Sequence, residues 1–368
     1  MIIGSFNVEN LFSRVRAMNL DDWADGRGIL EEYSKVNARL QKDPYSNADK
    51  QAILDGLSSL GIDQTDESRW AILRQNRGRL LKRPQAGGVE VAANGRSDWI
   101  GWVELKREAV NEVATQMTAR VIKDMNADVL AVIEAEDRTS LLRFNDQLLE
   151  PLNARYEHIM LIDGNDERGI DVGVLVRGGT TIESIVSHVD DVSGGKTIFS
   201  RDCPEFLLKS GSSTVLLMVN HLKSKGYGNA ADSNAKRRAQ AQRIRDIYDQ
   251  RRGAGIDQIA IVGDLNDTPD SNPLEPLLQN GSDLQDIFDL PSFVKDGRDG
   301  TYANGTKGNK IDYILLSPAL VGKVTTAGIE RRGVWGGVNG TLFPHYPEMT
   351  QAVHSASDHA GLFVDVNL

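Results

Sequence analysis

Apolar runs in this chain repeatedly end on side chains that can hold a metal ion or move a proton. The first run starts at Ile2 and reaches FNVEN, which carries Asn7 and Glu9. ADVLAVIEAED ends on Glu134, MVNHLKS carries His221, and IVGDLND carries Asp264 and Asn266. KIDYILLS opens on Asp312, and SASDHAG places Asp358 and His359 just before the last apolar run. Carboxylate and amide oxygens suit hard divalent cations, and a histidine beside a carboxylate is proton-transfer equipment. Each fragment alone has a plainer reading. GD after an apolar run is a common turn, NVEN fits a turn, and a lone histidine is more often structural. The full set points to one site at one edge of the sheets, on loops held by a rigid scaffold.

The elements that must position these residues are short and β-rich. Residues 2–8 read as a strand, as do HIMLID, DVGVLVR, STVLLMVNHLKS, QIAIVGDLND, KIDYILLS and AGLFVDVNL. KREAVNEVATQMTARVIKDMN has apolar residues at helical spacing, and further helices are expected at 233–252 and 272–279. Residues 14–100 read differently. DDWADGRGILEEYSKVNARLQKD, NADKQAILDGLSSLG and DESRWAILRQNRGRLLKR are expected as three helices, the last stopped by Pro84. GGVEVAANGRSDWIGWVEL then alternates around ANGR, a hairpin signal. With no internal repeat and no clean linker, the expectation is one α/β domain over 1–368, interrupted by an insertion at about 14–105.

Composition bounds the rest. The 368 residues, 40% of them apolar, are enough for a sizeable core. Acids outnumber bases by 52 to 42, and the net charge of −10 argues against a surface that coats a polyanion, though not against a local basic groove. Cys203 is the only cysteine, so it reads as a buried thiol and a reducing compartment fits. No run is apolar for long enough to suggest a membrane span. No positively charged lead-in precedes a cleavage site, so a cytoplasmic location is expected.

In their order, FNVEN, ADVLAVIE, NHLKS, GDLND, IDYILLS and SDH resemble the endonuclease/exonuclease/phosphatase superfamily, the group of DNase I, exonuclease III, bacterial sphingomyelinases and inositol polyphosphate 5-phosphatases. The resemblance covers residues 1–13 and about 106–368. It implies an α/β four-layer sandwich of two mostly antiparallel sheets flanked by helices, with a mostly helical insertion after the first strand. It also implies roles. Asn7 and Glu134 resemble the family's metal-binding pair, with Glu9 and Asp358 as further ligands. His221 resembles the histidine that contacts the scissile phosphate. Asp264 and Asn266 resemble the residues that position the attacking water and bind phosphate, and Asp312 and His359 resemble the Asp–His pair. Arg168, Asp171, Lys223 and Lys225 are assigned to substrate. Two positions depart from the pattern: Ile133 stands where many members carry Gln, and Asp171 where exonuclease III relatives carry Tyr. The oxygen-rich ligand set suits Mg²⁺ or Mn²⁺, and no cysteine cluster argues for zinc.

Three readings of function follow. The preferred one is a metal-dependent nuclease or related phosphodiesterase, endo- or exonucleolytic, with nucleic acid as substrate, no membrane role and no obligate protein partner. The second is a phosphatase, or a lipid or small-molecule phosphodiesterase. The third, a non-catalytic binding module, predicts loss of metal or histidine residues, and none is missing. Lys223 and Lys225 are the only evident basic residues beside the motifs, which favours a diester over a polyphosphorylated substrate. Elsewhere, Arg69, Arg74, Arg77, Arg79, Lys82 and Arg83 lie in a stretch without an acid. It reads as a solvated face paired with nearby acids, or as a contact for a phosphate backbone. Lys236, Arg237 and Arg238 read as surface, and Trp70, Trp99 and Trp102 as core packing.

Overall fold

The structure, a computed structural model, describes every residue except 21, 22, 86, 167, 226–228 and 280. Two compact units emerge. One comprises Met1–Phe12, Val110–Lys225 and Asn229–Leu368; the other holds Ser13–Ala109.

The first unit is built on two large sheets. The seven-stranded sheet runs Phe293–Val294, Val324–Glu330, Gly361–Val366, Ile2–Asn7, Val129–Ala135, Asp171–Val176, His158–Ile162. The six-stranded sheet runs Thr181–Val186, Glu205–Ser210, Ser213–His221, Ile259–Asp264, Asp312–Leu316, Gln285–Asp286. Most neighbours are antiparallel. Three pairs are parallel: Ile2–Asn7 beside Val129–Ala135 and Ser213–His221 beside Ile259–Asp264 at the centres, and Phe293–Val294 beside Val324–Glu330 at an edge.

Alternation along the strands explains the layers. Val129, Ala131 and Ile133 share one core with Phe206, Leu217, Val219, Val262 and Ile314 of the other sheet. Leu130 and Val132 face the opposite way, onto Met117, Val121 and Ile122 of the helix Glu112–Met125. Leu216, Met218, Ile259 and Ile261 likewise pack on Ala241, Ile244 and Ile247 of the helix Ala230–Gly253. The result is a sandwich with helices outside both sheets. Strands covered on both faces need apolar residues at every position, which is why they read as continuous runs.

The second unit has its own core, with Val36, Leu40, Ile53, Leu57, Trp99 and Val103 fully buried. Helices Trp23–Leu40 and Asn47–Ser59 fall where expected. The third helix does not form. Ala71–Arg77 is a strand paired with Ile100–Leu105, and Leu81–Lys82 pairs with Glu90–Val91. Ala71 and Leu73 point inward while Arg74 points out, a period of two, and Gly78 at φ 69° turns the chain between the two ladders. ANGR is therefore no hairpin turn: the runs on either side of it pair with different strands. Arg107–Ala109 is a strand paired with Ser13–Val15, so the long helix begins only at Glu112, where the Asn111 side chain accepts the Val113 N–H at 2.9 Å. Among the described residues, no helix is long and apolar enough to cross a membrane.

Candidate active site

Backbone pairing alone gathers five motifs into two groups, one in each sheet. Asn7 ends its strand opposite Ile133, one residue before Glu134. In the other sheet His221 lies opposite Asp264, and Asp264 opposite Asp312. The two sheets meet through side chains. Asn7 Nδ2–H donates to Asp264 Oδ2 at 3.4 Å and lies 3.4 Å from His359 Nε2.

The backbone is bent for this purpose. Seven described residues other than glycine have positive φ. Two of them, Asn126 and Asn153, end helical turns, as asparagine often does. The other five are Glu9, Asn10, Glu134, Asn266 and Ala303, all in the site's own loops and strand ends. Glu134, at φ 63°, is skipped in the ladder: Ala135 pairs with Asp171 and Ile133 with Val172. It is a bulge residue, and a bulge re-aims a side chain that the regular strand would send elsewhere. Each such conformation costs about 1 kcal/mol or more. That cost concentrates where chemistry would use it.

His221 and His359 flank Asp264. His359 Nε2 is 4.0 Å from Asp264 Oδ2, and its Nδ1 meets Asp312 Oδ2 at 2.9 Å. Burial alone would lower the His359 pKa. The negative charges of Asp312, Asp358 and Asp264 outweigh burial and hold it well above the usual histidine range. Tyr302 packs its ring 4.9 Å from the His359 ring and bonds Asp358 through its hydroxyl. His221 Nε2 lies 3.4 Å from Glu134 Oε1 and 3.6 Å from Asp264 Oδ2, while its buried Nδ1 has no hydrogen-bond partner among the described residues. Burial, reinforced by the positive charges of Arg201 and Arg168, pushes its pKa well below the usual range. The neutral ring with its proton on Nε2 fits these neighbours. Asp264 is held above the ordinary carboxyl range by burial and by the charge of Asp312. Asn266 orients it, donating from its backbone N–H to Oδ1 at 2.8 Å and from Nδ2 to Oδ2 at 3.0 Å.

The donor set fits a hard divalent cation. Glu134 and Asp264 bring carboxylate oxygens within 4.8 Å of each other, as do Asp264 and Asp312. Glu9 Oε2 accepts the Asp358 N–H at 3.2 Å, which ties those two acids to the same edge. Asn7 Oδ1 accepts the Glu9 N–H at 3.0 Å, and a carbonyl oxygen keeps a second lone pair for a cation.

The residues assigned to substrate are placed less simply. Arg168 grips Asp166 with Nε at 2.9 Å and Nη2 at 2.7 Å, and the fully buried Arg201 reaches the same carboxylate at 3.0 Å. Burial and the charges of Arg168 and Arg201 lower the Lys223 pKa to about 7. Basic residues therefore do gather beside His221, contrary to the expectation from sequence; Arg201 comes from a loop that no motif marks. Lys225 bonds Asp267 instead, and Asp267 also takes Arg237 at 2.9 Å. Arg237 is fully buried rather than on the surface, because this carboxylate compensates its charge. Asp171 is buried and accepts the Gly164 N–H at 2.7 Å; burial raises its pKa to about 7. Sequence reasoning also missed Thr301 and Tyr302, which lie in an irregular segment without periodicity.

The endonuclease/exonuclease/phosphatase family profile matches residues 81–330. Among solved structures, the chain is similar to a mannosyl-6-phosphatase of Bacteroides thetaiotaomicron, at 16% identity over 70% of this chain and 92% of that one, with a TM-score of 0.50. It is also similar to truncated TDP2 of Caenorhabditis elegans (18%, 69% and 91%, TM-score 0.48). The human Nocturnin catalytic domain is similar at 15%, over 71% of this chain and 88% of that one, with a TM-score of 0.48. No curated protein matches.

Proposed function

This chain belongs to the endonuclease/exonuclease/phosphatase family, and from that premise we propose that it is a divalent-cation-dependent phosphodiester hydrolase acting on nucleic acid. One observation carries the reading: buried Asp264 stands between two histidines, 3.6 Å from His221 Nε2 and 4.0 Å from His359 Nε2. Mg²⁺ or Mn²⁺ held by Glu134, Asp358, Asn7 and Glu9 would neutralise phosphoryl oxygens and stabilise the leaving oxygen. The chain's own residues do the rest. His359, kept cationic by Asp312, presents Nε2–H to a phosphoryl oxygen. His221 presents a second, neutral donor. Asp264, fixed by Asn266, orients the attacking water and takes its proton.

A second reading, phosphomonoester hydrolysis, has one observation in its favour. Asp166 neutralises only one of Arg168 and Arg201, so among the described residues beside His221 a positive charge is left over, and Lys223 adds to it when protonated, which suits a substrate carrying more charge than a single diester. A substrate panel separates the two. Hydrolysis of bis(p-nitrophenyl) phosphate and nicking of plasmid DNA are expected with Mg²⁺ or Mn²⁺, abolished by EDTA, with little action on p-nitrophenyl phosphate. Strong monoester hydrolysis with intact plasmid would promote the second reading.

A further inference from the structure

Asp312 is held by more than His359. Thr301, fully buried, places Oγ1 2.6 Å from Asp312 Oδ2. The same oxygen accepts the N–H groups of Asp312 at 3.0 Å and Ile311 at 3.2 Å. With both lone pairs so engaged, the hydroxyl has one proton to give. Its acceptors are Asp312 Oδ2 at 2.6 Å and Asn309 O at 3.3 Å, and the shorter contact, to a charged oxygen, wins.

The main chain delivers Thr301 to this spot on the same track as the histidine. Ala360 N–H donates to Thr301 O at 2.8 Å, Ala303 N–H to Asp358 O at 2.7 Å, and Tyr302 bridges to His359. The Asp312 backbone is pinned separately. Lys310 Nζ donates to Asp312 O at 2.6 Å, and Lys310 is itself held by Asp286 at 2.8 Å. Lys310 thus fixes where Asp312 stands, while Thr301 fixes how its carboxylate is turned. A carboxylate on a strand end can rotate about its last bond; Thr301 Oγ1 on Oδ2, with His359 Nδ1 spanning Oδ2 at 2.9 Å and Oδ1 at 3.0 Å, removes that freedom.

We infer that Thr301 is a positioning residue, whose hydroxyl sets the Asp312 carboxylate on His359 Nδ1 and so aims His359 Nε2 towards Asp264. Its catalytic consequence rests on the hydrolase reading above; the hydrogen bond itself does not. Thr301→Val keeps the shape and removes the donor, and Thr301→Ser keeps the donor. The first measurement is the proton resonance of His359 Nδ1–H, identified by its loss in His359→Ala. It should move or broaden in Thr301→Val and return in Thr301→Ser. The second is turnover of bis(p-nitrophenyl) phosphate with Mg²⁺. Thr301→Val should lower kcat about tenfold with KM unchanged, as misalignment without lost binding predicts, and Thr301→Ser should recover most of it. If Thr301→Val folds poorly, Thr301→Ala is read the same way. A wild-type resonance in a folded valine or alanine variant overturns the inference, as does a serine variant impaired as much as valine. If the wild-type protein hydrolyses no ester, the hydrolase reading fails while the resonance still decides the role of Thr301.

Discussion

His221 and His359 stand on either side of one carboxylate, at nearly the same depth, 3% and 6% exposed. The fold treats them in opposite ways. His359 has a carboxylate on Nδ1, a second acid next to it in sequence, and an aromatic ring against its face. His221 has a bare Nδ1 and two guanidinium groups close by. Burial disfavours charge in both; around His359 three acids outweigh it and keep the ring cationic, while around His221 two arginines reinforce it and the ring stays neutral. Depth alone therefore says little about what a buried histidine can do. The pair can offer two kinds of hydrogen-bond donor, one charged and one not.

The most severe test of this contrast lies on the His359 side. His359→Ala and Asp264→Asn should each lower kcat by about 10² or more, the usual range for a positioned acid–base group. Asp312→Asn should cost less but remain severe. All three should fold, since strand-end polar residues add little to the core, and circular dichroism with melting curves checks this. A His359→Ala enzyme near the wild-type rate would break the contrast.

A smaller effect sharpens the His221 side, where Asp171 lies near the arginine cluster. Its folded pKa of about 7 exceeds the ordinary carboxyl value, chiefly through burial. The folded state therefore holds the proton more tightly than the unfolded chain. The stability this contributes is complete below about pH 4 and is lost as pH rises towards 7. Urea midpoints of the wild type should decline across that window, and Asp171→Asn should flatten the decline. An unchanged slope would show that Asp171 is not the group responsible.

The smallest effect is expected where neither histidine is involved. Of the basic stretch in the second unit, Arg74 pairs with Glu104, Lys82 with Glu90 and Arg83 with Asp66, as the solvated-face reading expects. Arg77 and Arg79 are exposed with no acidic partner among the described residues. Replacing both with Ala should leave hydrolysis of a small diester unchanged. If they touch a polynucleotide, the salt dependence of its binding should flatten by roughly one unit of slope per contact. Unaltered binding would leave the stretch as a solvated face.

What could be seen in advance follows from what each region needs. Strands buried on both faces must be apolar throughout, so the abrupt stop at Asn7, Glu134, His221 or Asp264 stands out even in one sequence. Ala71–Arg77 has no such signal. Its apolar residues fit a helix as well as a strand, and only the distant partner Ile100–Leu105 decides. Arg237 looked like surface because its compensating Asp267 lies 30 residues away. Thr301 and Tyr302 sit in irregular chain, where neither period operates and position is fixed by contacts with residues 309–312 and 358–360.

Asn7 belongs to one sheet and Asp264 to the other, yet their side chains meet at 3.4 Å. The pocket edge thus works as a vernier on how the two sheets are seated. Trimming a side chain between them, far from any polar group, lets them settle by a fraction of an ångström. Turnover should then fall while every reacting residue is still present and the melting temperature has moved only a little. Heating or hydrostatic pressure should likewise silence the enzyme before it unfolds.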